Sequence, residues 1–296
     1  MGSVGIWTGV LDALPLPEAR EVVADLDEQG WGSLWFGEAF GREALTAAQV
    51  YLAAGRRMVV GTSIASIYGR DAVAAAAAAR TLHAMYPGRF VLGLGVSHAP
   101  LVEGMRGHNY GRPVAAMSAY LDALDAAPAG VPGEDRLPPR VLAALGPRML
   151  GLSRDRADGA NPYLVLPEHT AMARETLGGK PGNGPLLAVE QAAVLDPDPQ
   201  VWQSRAHEHL EIYTGLPNYR TSWLRQGFGE ADFTRGGSPR LAEAMVPRGL
   251  EATVRRIHEH LAAGADTVCV QVLGPDLVTP PRADWARLAE ALALRG

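Results

Sequence analysis

Cysteine occurs once in the 296 residues, at Cys269, so no internal disulfide can form and a disulfide-stapled miniprotein is excluded. Long apolar runs are missing too. The longest, Ala72 to Ala79, is eight residues held between Asp71 and Arg80, whereas a membrane-crossing helix needs roughly 20. No stretch is rich in basic residues: 27 Lys and Arg stand against 32 Asp and Glu, a formal charge of −5. A nucleic-acid footprint is therefore not expected. Met1 to Trp7 shows no charged segment followed by an apolar one, which predicts no signal peptide and a soluble, cytoplasmic protein. Phosphate-loop, zinc-protease and serine-hydrolase signatures are all absent. What the chain has is 47% hydrophobic and only 20% charged residues, enough to bury a large core.

Short β-rich runs alternate with longer, alanine-rich helical stretches. Strands are predicted over Ser3–Thr8, Ser33–Gly37, Met58–Ile67, Arg89–Gly95, Arg140–Leu145, Pro162–Leu166, Leu186–Ala193 and Thr267–Leu273. Helices are predicted over 15–29, 43–55, 71–86, 114–126, 147–154, 168–177, 199–213, 250–263 and 282–294. Asp71 suits a helix N-cap, and Pro87-Gly88 a stop. Strands that are apolar on both faces fit a parallel sheet. Eight βα units in one chain predict an α/β fold of the TIM (β/α)8 barrel type, with a doubly wound sheet as the alternative. One domain over residues 1–296 is expected, with an insertion from Gly215 to Val246. Its Tyr219, Trp223, Phe228 and Phe233 suit a cover for the barrel mouth or an oligomer contact.

In such a barrel the chemistry lies just past the strand C-termini. That rule selects Glu38, the segment Ala65-Ser66-Ile67, and the turn Gly95-Val96-Ser97-His98. It also selects Gly146-Pro147 and Pro167-Glu168-His169-Thr170. The glycines at 93 and 95 do not make a dinucleotide fingerprint, because His98 stands where a third glycine belongs. Gly146-Pro147 and Pro167–Thr170 fall where a strand enters a helix, a geometry that can bind anions and that ordinary helix starts share. His207 with His209, and His258 with His260, stand two apart on predicted helices. They should face different ways and read as solvated groups and not as metal ligands.

Trp35-Phe36-Gly37-Glu38, Ser66-Ile67, Gly93-Leu94-Gly95-Val96-Ser97-His98 and Ala144-Leu145-Gly146-Pro147 occur in that order. Asp158-Gly159-Ala160-Asn161-Pro162-Tyr163 and Gly264-Ala265-Asp266-Thr267-Val268 follow. Together they resemble the bacterial luciferase-like monooxygenase superfamily, and most closely its actinobacterial branch that uses the deazaflavin coenzyme F420. The resemblance covers nearly the whole chain. It implies a barrel holding F420, or alternatively FMN, across its C-terminal mouth.

On that resemblance, Ala65, Ser66 and Ile67 form a bulge, often with a non-proline cis peptide, against one face of the ring. Gly95, Val96, Ser97 and His98 border the ring and ribityl chain. Gly146 and Pro147 take the phosphate, with Pro167, Glu168, His169 and Thr170 nearby. Arg106, Arg112 and Arg148 are candidates for the polyglutamate tail of F420. The family's Asp-His pair after the second strand reads Glu38-Ala39 here, and its Glu reads His98. A different acid–base group is implied, with His98 and Glu38 as the catalytic candidates. Glu38 could instead pair with Arg42 or Arg70. Trp7 and Tyr68 could line the substrate space. The expected activity is hydride transfer between deazaflavin C5 and a small organic substrate, in a homodimer. The alternatives are FMN-dependent oxygen chemistry and a non-catalytic deazaflavin-binding protein.

Overall fold

The computed structural model describes residues 2–39 and 41–294. Nine parallel strand segments close on themselves: β1 (Val4–Trp7), β2 (Ser33–Phe36), β3 (Val59–Thr62), β4 (Ala65–Ser66), β5 (Phe90–Gly95), β6 (Arg140–Leu142), β7 (Gly159–Ala160), β8 (Leu186–Ala193) and β9 (Thr267–Val272). β3 and β4 are two halves of one barrel strand. The lower half pairs with β5 through Val60–Phe90, and the upper half through Ala65–Leu94. The expected eight-stranded (β/α)8 barrel is what forms.

The helices are α1 (Leu16–Glu28), α2 (Ala44–Ala54), α3 (Ala72–Met85), α4 (Pro113–Asp125), α5 (Pro147–Arg156), α6 (Pro167–Leu177), α7 (Pro199–Thr214), α8 (Pro217–Arg225), α9 (Pro239–Met245), α10 (Leu250–Ala262) and α11 (Arg282–Ala291). Local chemistry sets several of their ends. The Asp71 carboxylate accepts the Ala74 N–H at 2.9 Å, so it caps α3, and Gly88 takes a left-handed φ of +73° just past the end of that helix. Five helices of the second half, α5 to α9, begin with proline, which loses nothing at a position whose N–H has no helical partner.

The lumen is packed. Trp35, Val59, Val91, Val141, Ala188 and Cys269 meet there, one from each of six strands. Gly61 is what admits the Trp35 ring, because a Cβ on Gly61 would stand 2.4 Å from it. Cys269 is fully buried on β9, as a central strand requires.

One expectation is corrected. The run Pro162–Leu166 is not a strand; the sixth barrel strand is the shorter β7, two residues upstream. The insertion from Gly215 to Val246 is largely helical. It folds into α8 and α9, and its Tyr219, Trp223, Phe228 and Phe233 are buried with Leu164, Val194, Trp202 and Leu273 in a second apolar cluster. Those contacts place the insertion over the C-terminal ends of β7, β8 and β9, so it covers that side of the mouth. Among the described residues, no helix is long and apolar enough to cross a membrane.

Candidate functional site

The C-terminal mouth is built around a bond across the barrel. Past β3 a non-prolyl cis peptide joins Ser63 to Ile64. The expected bulge at Ala65-Ser66-Ile67 therefore lies two residues earlier, while Ala65 and Ser66 form β4 and the Ile67 N–H donates to the Gly95 carbonyl at 3.0 Å. The Ser63 hydroxyl donates to Asn161 Oδ1 at 2.5 Å, and the Asn161 amide donates to the Ala188 carbonyl at 2.7 Å. The Trp7 indole N–H donates to Ser63 Oγ at 2.9 Å, and its ring meets Tyr163 edge-on at 5.4 Å. Trp7 does line the mouth.

Gly93 and Gly95 are small for a reason internal to the chain. A Cβ on Gly93 would lie 1.7 Å from the Thr62 carbonyl oxygen, and one on Gly95 would lie 2.4 Å from Ile64 Cγ1. Both glycines make room for the β3 bulge. Beyond them Ser97 is left-handed at φ 56°, its carbonyl accepting from the Tyr110 hydroxyl at 3.1 Å. His98 follows, half-buried, with its ring 5.9 Å from that of Tyr219. Its ring makes no hydrogen bond among the described residues, and burial pushes its pKa down. A neutral imidazole free to take a partner thus stands at the mouth.

Glu38 is placed differently. One carboxylate oxygen accepts the Ser66 N–H at 2.8 Å; the other accepts the Ala44 N–H at 3.3 Å and pairs with Arg70. Arg70 also pairs with Glu43 at 2.8 Å, whereas Arg42 turns to the Leu11 and Leu14 carbonyls. Glu38 is an anchor joining β4 to α2, with both of its oxygens engaged by the chain itself. Tyr68 donates to the Tyr110 carbonyl at 2.6 Å and braces the same side of the mouth.

Across the barrel, α5 and α6 begin side by side. Gly146 caps α5 without a side chain, and a Cβ there would lie 3.3 Å from the Arg225 guanidinium. Arg225 has no ion pair among the described residues. His169, in the first turn of α6, is buried. Its Nε2 bonds the Leu145 carbonyl at 3.1 Å, its Nδ1 has no partner, and burial together with the nearby Arg225 charge lowers its pKa. Two helix N-termini and a guanidinium without an ion pair make an anion cradle; His169, its Nε2–H given to the Leu145 carbonyl, holds the turn beside it. Thr170 belongs elsewhere: its hydroxyl bonds the buried His260 at 2.8 Å.

His209 and His260 are buried, not solvated, although each does face away from its neighbour two residues along. Among the described residues no group of three His, Cys, Asp or Glu could hold a metal ion. The sequence reading missed Ser63, Asn161, Tyr163, Arg225 and, above all, Glu190. A lone carboxylate inside the apolar run Leu186–Ala193 was the signal for the last.

A closed parallel barrel, its mouth lined by a cis-peptide bulge, an aromatic wall and an anion cradle, defines a (β/α)8 protein with a site at the strand C-termini. Residues 4–274 match the family of luciferase-like monooxygenases, and the chain belongs to it. A Mycobacterium tuberculosis protein, provisionally named a coenzyme F420-dependent oxidoreductase, is 28% identical over 204 residues. That match covers 59% of each chain, so the likeness spans a little over half of the relative's length. Among solved structures, an F420-dependent secondary alcohol dehydrogenase bound to an F420–acetone adduct superposes with a TM-score of 0.74 at 16% identity over 100% of both chains. The FMN-bound oxygenating constituent of 3,6-diketocamphane monooxygenase from Pseudomonas putida superposes with a TM-score of 0.70 at 12% identity, over 98% of this chain and 96% of that one. At these identities the two structures share the fold.

Proposed function

We propose that the chain is an F420-dependent oxidoreductase that passes a hydride between the cofactor and a small organic substrate. The observation that carries this reading is the anion cradle at Gly146 and Arg225, set at the rim of an otherwise aromatic mouth. A helix N-terminus beside a guanidinium without an ion pair fits a phosphate. The choice of F420 over FMN rests on the Mycobacterium tuberculosis relative.

The residues then divide the work. The α5 N-terminus at Gly146-Pro147, with Arg225, would hold the phosphate; Pro167, Glu168 and His169 shape the neighbouring turn. The Ser63–Ile64 bulge and the Gly95–His98 turn flank the ring. Bound F420 supplies a hydride at its deazaflavin C5. Trp7, Tyr163 and Tyr219 exclude water, and His98 holds or delivers the proton on the substrate side. Glu38, held by Arg70 and the Ser66 N–H, fixes that side of the mouth. Arg106, Arg112 and Arg148, which have no ion pairs among the described residues, stay as candidates for the cofactor tail. A cytoplasmic homodimer remains part of the proposal, and light scattering would test the assembly.

The experiment is fluorescence titration of the purified protein with F420 and with FMN, repeated on Gly146→Asp. F420 should bind and FMN should not. Gly146→Asp, which sets a carboxylate at the cradle and against Arg225, should weaken F420 at least about tenfold with its circular dichroism unchanged. FMN binding without F420 binding would favour the oxygenase reading.

A further inference from the structure

Leu164 takes a left-handed conformation, φ 52°, that a branched residue rarely adopts. It is held by two side chains from distant parts of the chain. Its N–H donates to Glu190 Oε2 at 3.0 Å, and its carbonyl accepts the Trp223 indole N–H at 3.1 Å. The flanking segment is tied in the same manner: the Glu190 N–H donates to the Pro162 carbonyl at 3.0 Å, and the Leu166 N–H donates to the Gln226 side chain at 2.8 Å. Side chains from β8 and α8 therefore shape residues 161–166, which sequence reading took for a strand. The product of that shape is the position of Tyr163. Its ring packs edge-on against Trp7, and its hydroxyl donates to Gln271 Oε1 at 2.6 Å while accepting from Tyr213 at 3.0 Å.

We propose that Glu190 is a positioning residue of the mouth: through the Leu164 amide it sets Tyr163 against Trp7, and it does so as a neutral acid. This deepens the reading given above, since the wall it sets borders the substrate space.

Geometry supports the neutral form. Glu190 is fully buried on β8, and only one of its oxygens has a partner; Oε1 has none. A carboxylate there would leave an anion with no cation paired to it among the described residues. Burial pushes its pKa up to about 8, against the modest lowering from the Leu164 N–H. The titratable groups around it come from every neighbouring element: Tyr163 beside Leu164, Tyr213 on α7, Tyr219 on α8 and Cys269 on β9, with His209 against Tyr163 and Tyr213. Burial raises the three tyrosines and the thiol, and lowers His209 to about 4. Glu190 alone in that cluster changes charge near pH 8. Once ionised, the carboxylate puts an uncompensated charge among Tyr163, Tyr213 and Tyr219, whose hydroxyls feel it, and the network that holds Tyr163 in place must adjust.

The test is nuclear magnetic resonance of the full chain carrying ring-labelled tyrosine, without cofactor, with Tyr163 assigned by its loss in Tyr163→Phe. Spectra are taken from about pH 6.5 to about pH 9.5. The Tyr163 ring signals should shift with a midpoint near 8 in the native protein. In Glu190→Gln, which keeps an acceptor for Leu164 and cannot ionise, they should sit at their neutral-pH position throughout. Glu190→Leu, which removes the acceptor, should move or broaden them at every pH. A native Tyr163 signal that does not move over this range would overturn the proposal, as would the same transition persisting in Glu190→Gln. The measurement needs no F420, so a failure of F420 to bind would strike the functional reading and leave this result standing.

Discussion

Ser63 and Asn161 are 98 residues apart in sequence and share one hydrogen bond of 2.5 Å across the barrel mouth. The bond ties the bulge after β3 to the end of β7, and Asn161 hands the connection on to β8 through the Ala188 carbonyl. Three barrel strands and the indole of Trp7 are thereby fixed by two small polar side chains.

Asn161→Ala removes both links and leaves the buried Ser63 hydroxyl and Ala188 carbonyl each short of one partner. A loss of about 2–4 kcal/mol in urea-unfolding stability is expected, at the scale of buried polar groups left unpaired. Ser63→Ala should cost less, about 1 kcal/mol, because Asn161 keeps its bond to Ala188. Equal losses would show that the Ser63 link carries the whole effect.

Gly95 and Ile64 form a fitted pair, with only 2.4 Å between the place of a Cβ on Gly95 and Ile64 Cγ1. Gly95→Ala should destabilise by about 1–3 kcal/mol through overpacking. Ile64→Ala should relieve much of that cost in the double variant, as coupled neighbours do. Additive losses in the cycle would mean that the glycine is small for the sake of something other than Ile64.

Glu190 gives a pH dependence with a definite sign. Its folded-state pKa, about 8, lies above the ordinary 4.5. Between those values the native chain keeps a proton that the unfolded chain has released. Its contribution is full below the ordinary value and is lost as pH rises toward about 8. Measured against Glu190→Gln, the urea midpoint of the native chain should therefore fall from about pH 5 to about pH 8. The histidines whose pKa values burial lowers act with the opposite sign and contribute alike to both. An identical slope in Glu190→Gln would place the titration in another group.

The His98 ring stands at the mouth against Tyr219 with no hydrogen-bond partner among the described residues. His98→Ala should lower turnover by roughly 10² to 10⁴ while F420 affinity stays within a few-fold. Steady-state rates and fluorescence titration together check this, and full activity would reduce His98 to a wall residue.

Much of the barrel is legible in the chain because its signals are local. Asp71 and Gly88 bracket α3, proline opens helix after helix, and Leu186–Ala193 is a strand to the residue. Failures occur where distant side chains decide. Pro162-Tyr163-Leu164-Val165-Leu166 has the composition of a strand, but Glu190 and Trp223 hold Leu164 in a conformation no strand contains. The run Met58–Ile67 is broken by a peptide geometry that composition does not announce. In the insertion, Pro217 and the Ser238-Pro239 pair are readable starts for α8 and α9, and the surrounding glycines obscured them. Of the site, Gly146 and His98 could be found from their place after a strand. Arg225, which completes the cradle, could not, because it reaches Gly146 from a helix almost 80 residues further on.

The central claim is hydride transfer with F420, and the most direct measurement is an anaerobic one. Reduced F420 is mixed with the protein and a panel of ketones, aldehydes and enones, and the return of the oxidised cofactor's absorbance is followed. Oxidation of F420 that requires both the protein and a carbonyl compound, in the absence of oxygen, is the predicted result. Turnover that appears only with reduced FMN and oxygen, and none with F420, would contradict the account.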